Sequence, residues 1–141
     1  MSLFNIFDIS ASGLSAQNTR LNTVASNLAN AESIASTPEG AYRSRQPVFA
    51  TTLQGQLADL NATASAGLST IGIVESQAEN VAQYQPGNPL ANEEGYIYLS
   101  NVNVMEEMTN MMSAKSSYQS NIEVLNTSKE LLLQTLRLGR L

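Results

Sequence analysis

Apolar residues at the start of this chain recur with a period of two helical turns. In "GLSAQNTRLNTVASNLANAES" Leu14, Leu21 and Leu28 stand seven apart, and Phe7 continues the row upstream. Positions so spaced share one face, which predicts a helix from about Phe4 to Ala31. The remaining surface of that helix is unusual. Its only formal charges are Asp8 and Arg20, and the rest is largely Asn, Ser, Thr, Ala and Gln, whereas a solvated helix normally carries paired Glu and Lys. Asn, Ser and Thr are mediocre helix formers, so the order of this segment has to come from packing.

A second helical pattern occupies the other end of the chain. Met111, Tyr118, Leu125 and Leu132 keep a seven-residue spacing, and Met108, Ile122 and Leu136 form a companion row that Lys115 and Lys129 interrupt. Asn103 suits an N-cap with Glu106 three places on, Glu106 and Glu107 suit the positive helix end, and Arg137 followed by Gly139 suits its termination. A helix from Val104 to Leu138 is about 50 Å long, while a compact globule of this chain length spans roughly 37 Å. Such a helix protrudes, and the first, about 42 Å long by the same rise, can run alongside it so that each seam covers the other.

Between the helices the period changes. Pro38, Gly40 and Pro47 break the chain, and Val48, Phe49, Thr51 and Thr52 then favour a strand. "GLSTIGIVES" is β-branched and punctuated by glycine, "GYIYLSNVNV" opens with the alternation of a half-buried strand, and "QPGNPLANEEGY" reads as a turn-rich loop. The fold expected is mainly α with a small β-rich insert. Residues 1–35 with 103–141 are the long N- and C-terminal helices, pairing as a coiled-coil-like unit around a central β region, residues 36–102.

Composition changes this picture mainly by exclusion. With 43% hydrophobic residues in 141, the chain suits one ordinary domain. A net charge of −5 without a basic cluster argues against nucleic acid. The sequence has no Cys and no His, which removes thiol nucleophiles, most zinc sites and the commonest general base. No metal, cofactor or catalytic residue is expected. No basic leader precedes an apolar stretch, and no run approaches the roughly 20 apolar residues of a spanning helix; neither signal cleavage nor direct membrane insertion is expected.

Three stretches carry a resemblance: "SLFNIFDISASGLSAQNTRLNTVASNLANAES", "PGNPLANEEGYIYLSNVNVMEEMTNMM" and "SYQSNIEVLNTSKELLLQTLRLGR". Over nearly its full length the chain resembles the bacterial flagellar axial proteins of rod and hook, and among them those of the proximal rod. Asn27, Ala29, Asn30 and Ala31 match the signature stretch of the superfamily, and Leu14, Leu21 and Leu28 match its seam. After Ala31 the chain departs from many relatives, with Glu32, Ser33 and a longer "IASTPEGAYRS". The resemblance implies a structural subunit of the basal-body rod in the periplasm, exported uncleaved through the flagellar type III apparatus. It also implies helical assembly with itself and other rod proteins, the terminal helices lining a channel wall. The candidate assembly surface is Phe7, Leu14, Leu21, Val24, Asn27, Leu28 and Asn30 on the first helix. On the last it is Met108, Met111, Tyr118, Ile122, Leu125, Leu132 and Leu136.

Each feature also has a plainer reading. A leucine seam alone is more often an ordinary core or coiled-coil face. Glu93 and Glu94, with Glu106 and Glu107, resemble a cation site only weakly, because calcium loops need more oxygen ligands at tighter spacing. Met105, Met108, Met111 and Met112 read as gap fillers at a helix interface rather than as an adaptable binding surface. Arg43 and Arg45 either anchor an acidic neighbour or keep a loop soluble. Another axial subunit, a helical secretion-related adaptor or chaperone, and a cell-wall enzyme are the competing functions; the last lacks a nucleophile and base.

Overall fold

The computed structural model describes residues 3–54 and 65–139. Part of the expected middle region, 55–64, and the last two positions lie outside the described residues. The chain forms α1 (Leu3–Ala29), β1 (Ile34–Ala35), β2 (Arg45–Gln54), β3 (Ser65–Glu75), β4 (Ala82–Tyr84), β5 (Tyr96–Leu99) and α2 (Val104–Leu138). The order of helix, small β region and helix is the one the periodicity predicts. The caps of α2 also form. Asn103 Oδ1 accepts the backbone N–H groups of Met105 at 3.1 Å and Glu106 at 3.4 Å, and Gly139 closes the last turn onto the Thr135 carbonyl at 3.1 Å.

Two strands are present beyond those expected, β1 in a stretch that reads as loop and β4 in a stretch given no assignment. β1 and β4 flank β5 in an antiparallel sheet of order β1-β5-β4, with Ala35 and Ala82 both opposite Tyr98. They are two and three residues long, too short for alternation to register, and their pairing partner in that sheet is β5. β2 and β3 form a separate two-stranded sheet. Pro47 lies inside β2, a position tolerated where a strand has an unpaired edge.

The chain divides into two compact units. The first comprises Met1–Thr19, Val48–Gly72 and Ser113–Leu141. In it Ser12 Oγ accepts the Leu68 backbone N–H at 3.1 Å, tying β3 to α1. Gly13 lets the helices meet: a Cβ there would lie 3.0 Å from Asn121 Nδ2. Its buried residues, among those described, are Ser10, Ala16, Ala114 and Ser128. None of these is a large apolar side chain, so close approach of small residues takes the place of a conventional core.

The second unit comprises Arg20–Pro47 and Ile73–Met112. It buries Val24, Ala41 and Ile97 together with Thr23, Asn27, Ser44, Ser100 and Glu107. Asparagine side chains organise its loops. Asn80 Nδ2 donates to the carbonyls of Tyr42 and Leu99, both at 2.9 Å. Asn101 accepts the Ser44 N–H at 2.6 Å and donates to the Ala78 carbonyl at 2.8 Å. The Ser100 hydroxyl donates to the Ala31 carbonyl just beyond α1. Asn92 Oδ1 accepts from Glu94 N at 3.0 Å and Tyr96 N at 2.8 Å, which builds the turn into β5.

Gly95 completes that turn at φ 82°, in the left-handed region that favours glycine. A Cβ there would also sit 2.9 Å from Tyr84 Cε2, in a ring packed edge-on against Tyr96 with centroids 5.2 Å apart. Gly95→Ala should therefore cost about 1–2 kcal/mol from backbone conformation before the ring is displaced. Amide exchange at Gln85, whose N–H bonds the Gly95 carbonyl at 2.8 Å, should accelerate, and unchanged exchange would show that the turn relaxes freely.

Candidate assembly surface

The two terminal helices meet through a row that hydrophobicity alone does not mark. On α2 the most buried positions are Glu107, Ala114 and Ser128, at 5%, 0% and 6% exposure, and the half-buried Asn121 completes their seven-residue spacing. Where the contacts of this row are defined they are with α1: Asn121 against Gly13 in the first unit, and Glu107 against Asn27 in the second. Also in the second unit, Arg20 Nη2 donates to Asn110 Oδ1 at 3.2 Å. In the second unit the chain numbers rise on one helix as they fall on the other, from Arg20 with Asn110 to Asn27 with Glu107, so the two helix segments run antiparallel there.

Met111, Tyr118, Leu125 and Leu132 flank the buried row and are half-buried. The companion row expected beside them is displaced by one position. Met108 and Leu136 are 52% and 58% exposed, and Ile122 is half-buried. The physical reason is the size of the partner surface: α1 presents Gly13, which admits Asn121 at close range, whereas a row containing Lys115 and Lys129 has to face outward. On α1, Val24 and Asn27 are buried and Phe7, Leu14, Leu21 and Leu28 are half-buried, as is Asn30 in the turn that follows.

Asn27 is the most completely used side chain of the chain's described part. It is 0% exposed; its Oδ1 accepts from Arg45 N at 2.9 Å and Tyr42 Oη at 3.0 Å, and its Nδ2 donates to the Arg45 carbonyl at 2.8 Å. Both backbone groups at the start of β2 thus bond to one amide on α1. The same side chain hydrogen-bonds Glu107. Burial pushes the Glu107 carboxyl above the ordinary glutamate value; the Asn27 hydrogen bond and the Arg20 charge act the other way, and the Glu106 charge adds to the rise.

The arginines divide between two roles. Arg45 pairs with Glu75 at 3.0 Å, both half-exposed, and lies over the Tyr42 ring, 5.6 Å from its centroid. With Arg43, Glu39 and Ala41 these residues line an open recess of about 510 Å³. Among the described residues no group of three or more His, Cys, Asp or Glu could hold a metal ion. Glu93 and Glu94 are exposed in the turn that Asn92 builds.

Large apolar side chains left exposed are concentrated on α2. In the second unit Met105, Met108 and Met112 are 75%, 52% and 73% exposed and share a helix face. In the first unit Leu131, Leu133, Leu136 and Leu138 are 53%, 47%, 58% and 74% exposed. Exposed apolar surface of this density marks interaction surfaces. Sequence reading did not single out Arg20, Tyr42, Asn110 or the Ala114 row as functional; the interrupting lysines were the signal that the buried row lies one residue away.

Residues 7–32 match the family model of the flagella basal body rod protein, and residues 93–138 match that of the flagellar basal body rod FlgEFG protein C-terminal. These matches cover most of α1 and the span from the turn after Asn92 to the end of α2, and define a flagellar basal-body rod protein. Over 140 residues, 99% of this chain and 100% of the relative, it is 48% identical to the flagellar basal-body rod protein FlgC of Escherichia coli O6:H1 and 49% identical to that of Salmonella typhimurium. It is 34% identical over the same shares to the FlgC of Buchnera aphidicola subsp. Baizongia pistaciae. The chain belongs to the FlgC family of flagellar basal-body rod proteins.

Proposed function

We propose that this chain is a structural subunit of the flagellar rod, assembling helically with other rod proteins into the drive shaft of the basal body and the wall of the export channel. The observation that carries the reading is identity of 48–49% along the entire length of relatives named for the rod. A family defined by a structural rod component supports a non-enzymatic role, and does not favour the adaptor or chaperone reading. No helix among the described residues is long and apolar enough to cross a membrane.

The finer reading extends to position, route and contacts. The chain belongs to the proximal part of the rod in the periplasm, and it reaches that place through the flagellar export apparatus without cleavage of its N-terminal region. Its terminal helices close into a coiled-coil-like pair, and neighbouring subunits cover the half-buried leucines of α1 and the exposed methionines and leucines of α2. Supplying the chain to cells that lack their own proximal-rod subunit tests this. Motility should return and the chain should co-purify with basal bodies, whereas an adaptor would stay soluble and leave the rods incomplete.

A further inference from the structure

One buried titratable group lies in the contact between α1 and α2 and not on the faces that neighbouring subunits would cover. Glu107 lies in the first turns of α2 at 5% exposure, and its Oε2 has no hydrogen-bond partner. Asn27 lends it one hydrogen bond and is otherwise committed to Arg45 and Tyr42. The cation facing it from α1, Arg20, gives its Nη2 to Asn110. On its own helix the neighbouring charge is Glu106, of the same sign. Arg45 meets Asn27 through its backbone, while its guanidinium pairs with Glu75.

We propose that Glu107 is a proton-operated latch between α1 and α2: protonated, it lets the helices seat at Asn27, and ionised, it loosens them. A neutral carboxyl in a buried contact has only its hydrogen bonds to satisfy, whereas a carboxylate there carries a desolvation cost that one amide hydrogen bond, one cation bonded elsewhere and the positive end of α2 do not together offset. The direction follows from proton linkage. The folded chain holds this proton more tightly than the unfolded chain, because burial raises the carboxyl above its ordinary value. Stability from this group is therefore lost as pH rises from the ordinary glutamate range through the raised folded value. Below that range both states are protonated and the group contributes no pH dependence.

The latch is a property of the single chain, so its test stands apart from the rod reading. The carboxyl of Glu107 is titrated by NMR in the full-length protein, and amide exchange across Arg20–Ala29 and Val104–Met112 is compared at about pH 5 and about pH 7.5, corrected for intrinsic rates. Glu107 should titrate above the ordinary glutamate value, and both segments should be better protected in acid. Glu107→Gln should abolish this dependence and keep the protection of the acid form at both pH values, while Glu106→Gln should retain the wild-type dependence. The proposal is overturned if Glu107 titrates at or below the ordinary value. It is also overturned if Glu107→Gln leaves the pH dependence in place or lowers protection, or if Glu106→Gln abolishes the dependence. The wild-type titration decides the matter even if a variant fails to fold.

Discussion

Asn27→Ala should destabilise the protein by about 3–4 kcal/mol, because it removes, besides the hydrogen bond to Glu107, three hydrogen bonds whose partners are left in poorly solvated positions. Those partners are the Arg45 N–H, the Arg45 carbonyl and the Tyr42 hydroxyl, at 2.8–3.0 Å from the amide. A small domain has only about 5–15 kcal/mol of net stability, so the urea midpoint should fall by a large fraction. Tyr42→Phe breaks one of the three together with the hydrogen bond between Tyr42 Oη and Ser26 Oγ at 3.2 Å, and should cost about 1–2 kcal/mol. Asn27→Asp is the sharper variant. It keeps the shape and one acceptor, but it turns the donor that faces the Arg45 carbonyl into an oxygen and sets a second carboxyl beside Glu107. It should be as harmful as alanine near neutral pH and recover part of the loss in acid, as like charges are protonated. Equal stability of Asn27→Ala and wild type would show that water replaces this amide without cost.

The second large effect separates folding from assembly. Leu131, Leu136 and Leu138 are more than half exposed, so changing all three to serine should alter the stability of the isolated chain by no more than about 0.5 kcal/mol per site. In a rod each leucine that becomes covered contributes roughly 1.5–3 kcal/mol per subunit, and every subunit carries the change. The triple variant should be exported yet fail to enter basal bodies, measured by immunoblot of purified basal bodies. Loss of stability in the isolated chain would mean that these residues already pack within it.

How much of this was legible in the sequence depends on the size of the side chains involved. Both helices were, because α1 and α2 carry apolar residues at helical spacing and α2 carries its own caps; the span Val104–Leu138 was expected and is found. The strands around Phe49, Ile71 and Tyr98 were also legible from β-branched and aromatic content. The helix contacts were not, since those defined are made by Gly13 with Asn121 in one unit and by Asn27 with Glu107 in the other, and a pattern of hydrophobic residues cannot report small and polar ones. The leucines, which carry the helical period, flank the buried row. Asn80, Asn92 and Asn101 were invisible for a related reason: each acts by bonding backbone groups distant in sequence or by shaping a turn, and composition says nothing of which carbonyl an amide will meet. β1 and β4 exist because β5 offers edges, which is information held in the fold and not in either segment.

The central claim, that this chain is built into the flagellar rod with its apolar α2 faces covered, is tested most directly by electron cryo-microscopy of basal bodies from cells in which it is the sole source of its subunit. The account predicts density for this chain in the rod, with Leu131, Leu136 and Leu138 of α2 in contact with neighbouring subunits. Complete rods that lack this chain, or that contain it with those leucines facing water, would contradict it.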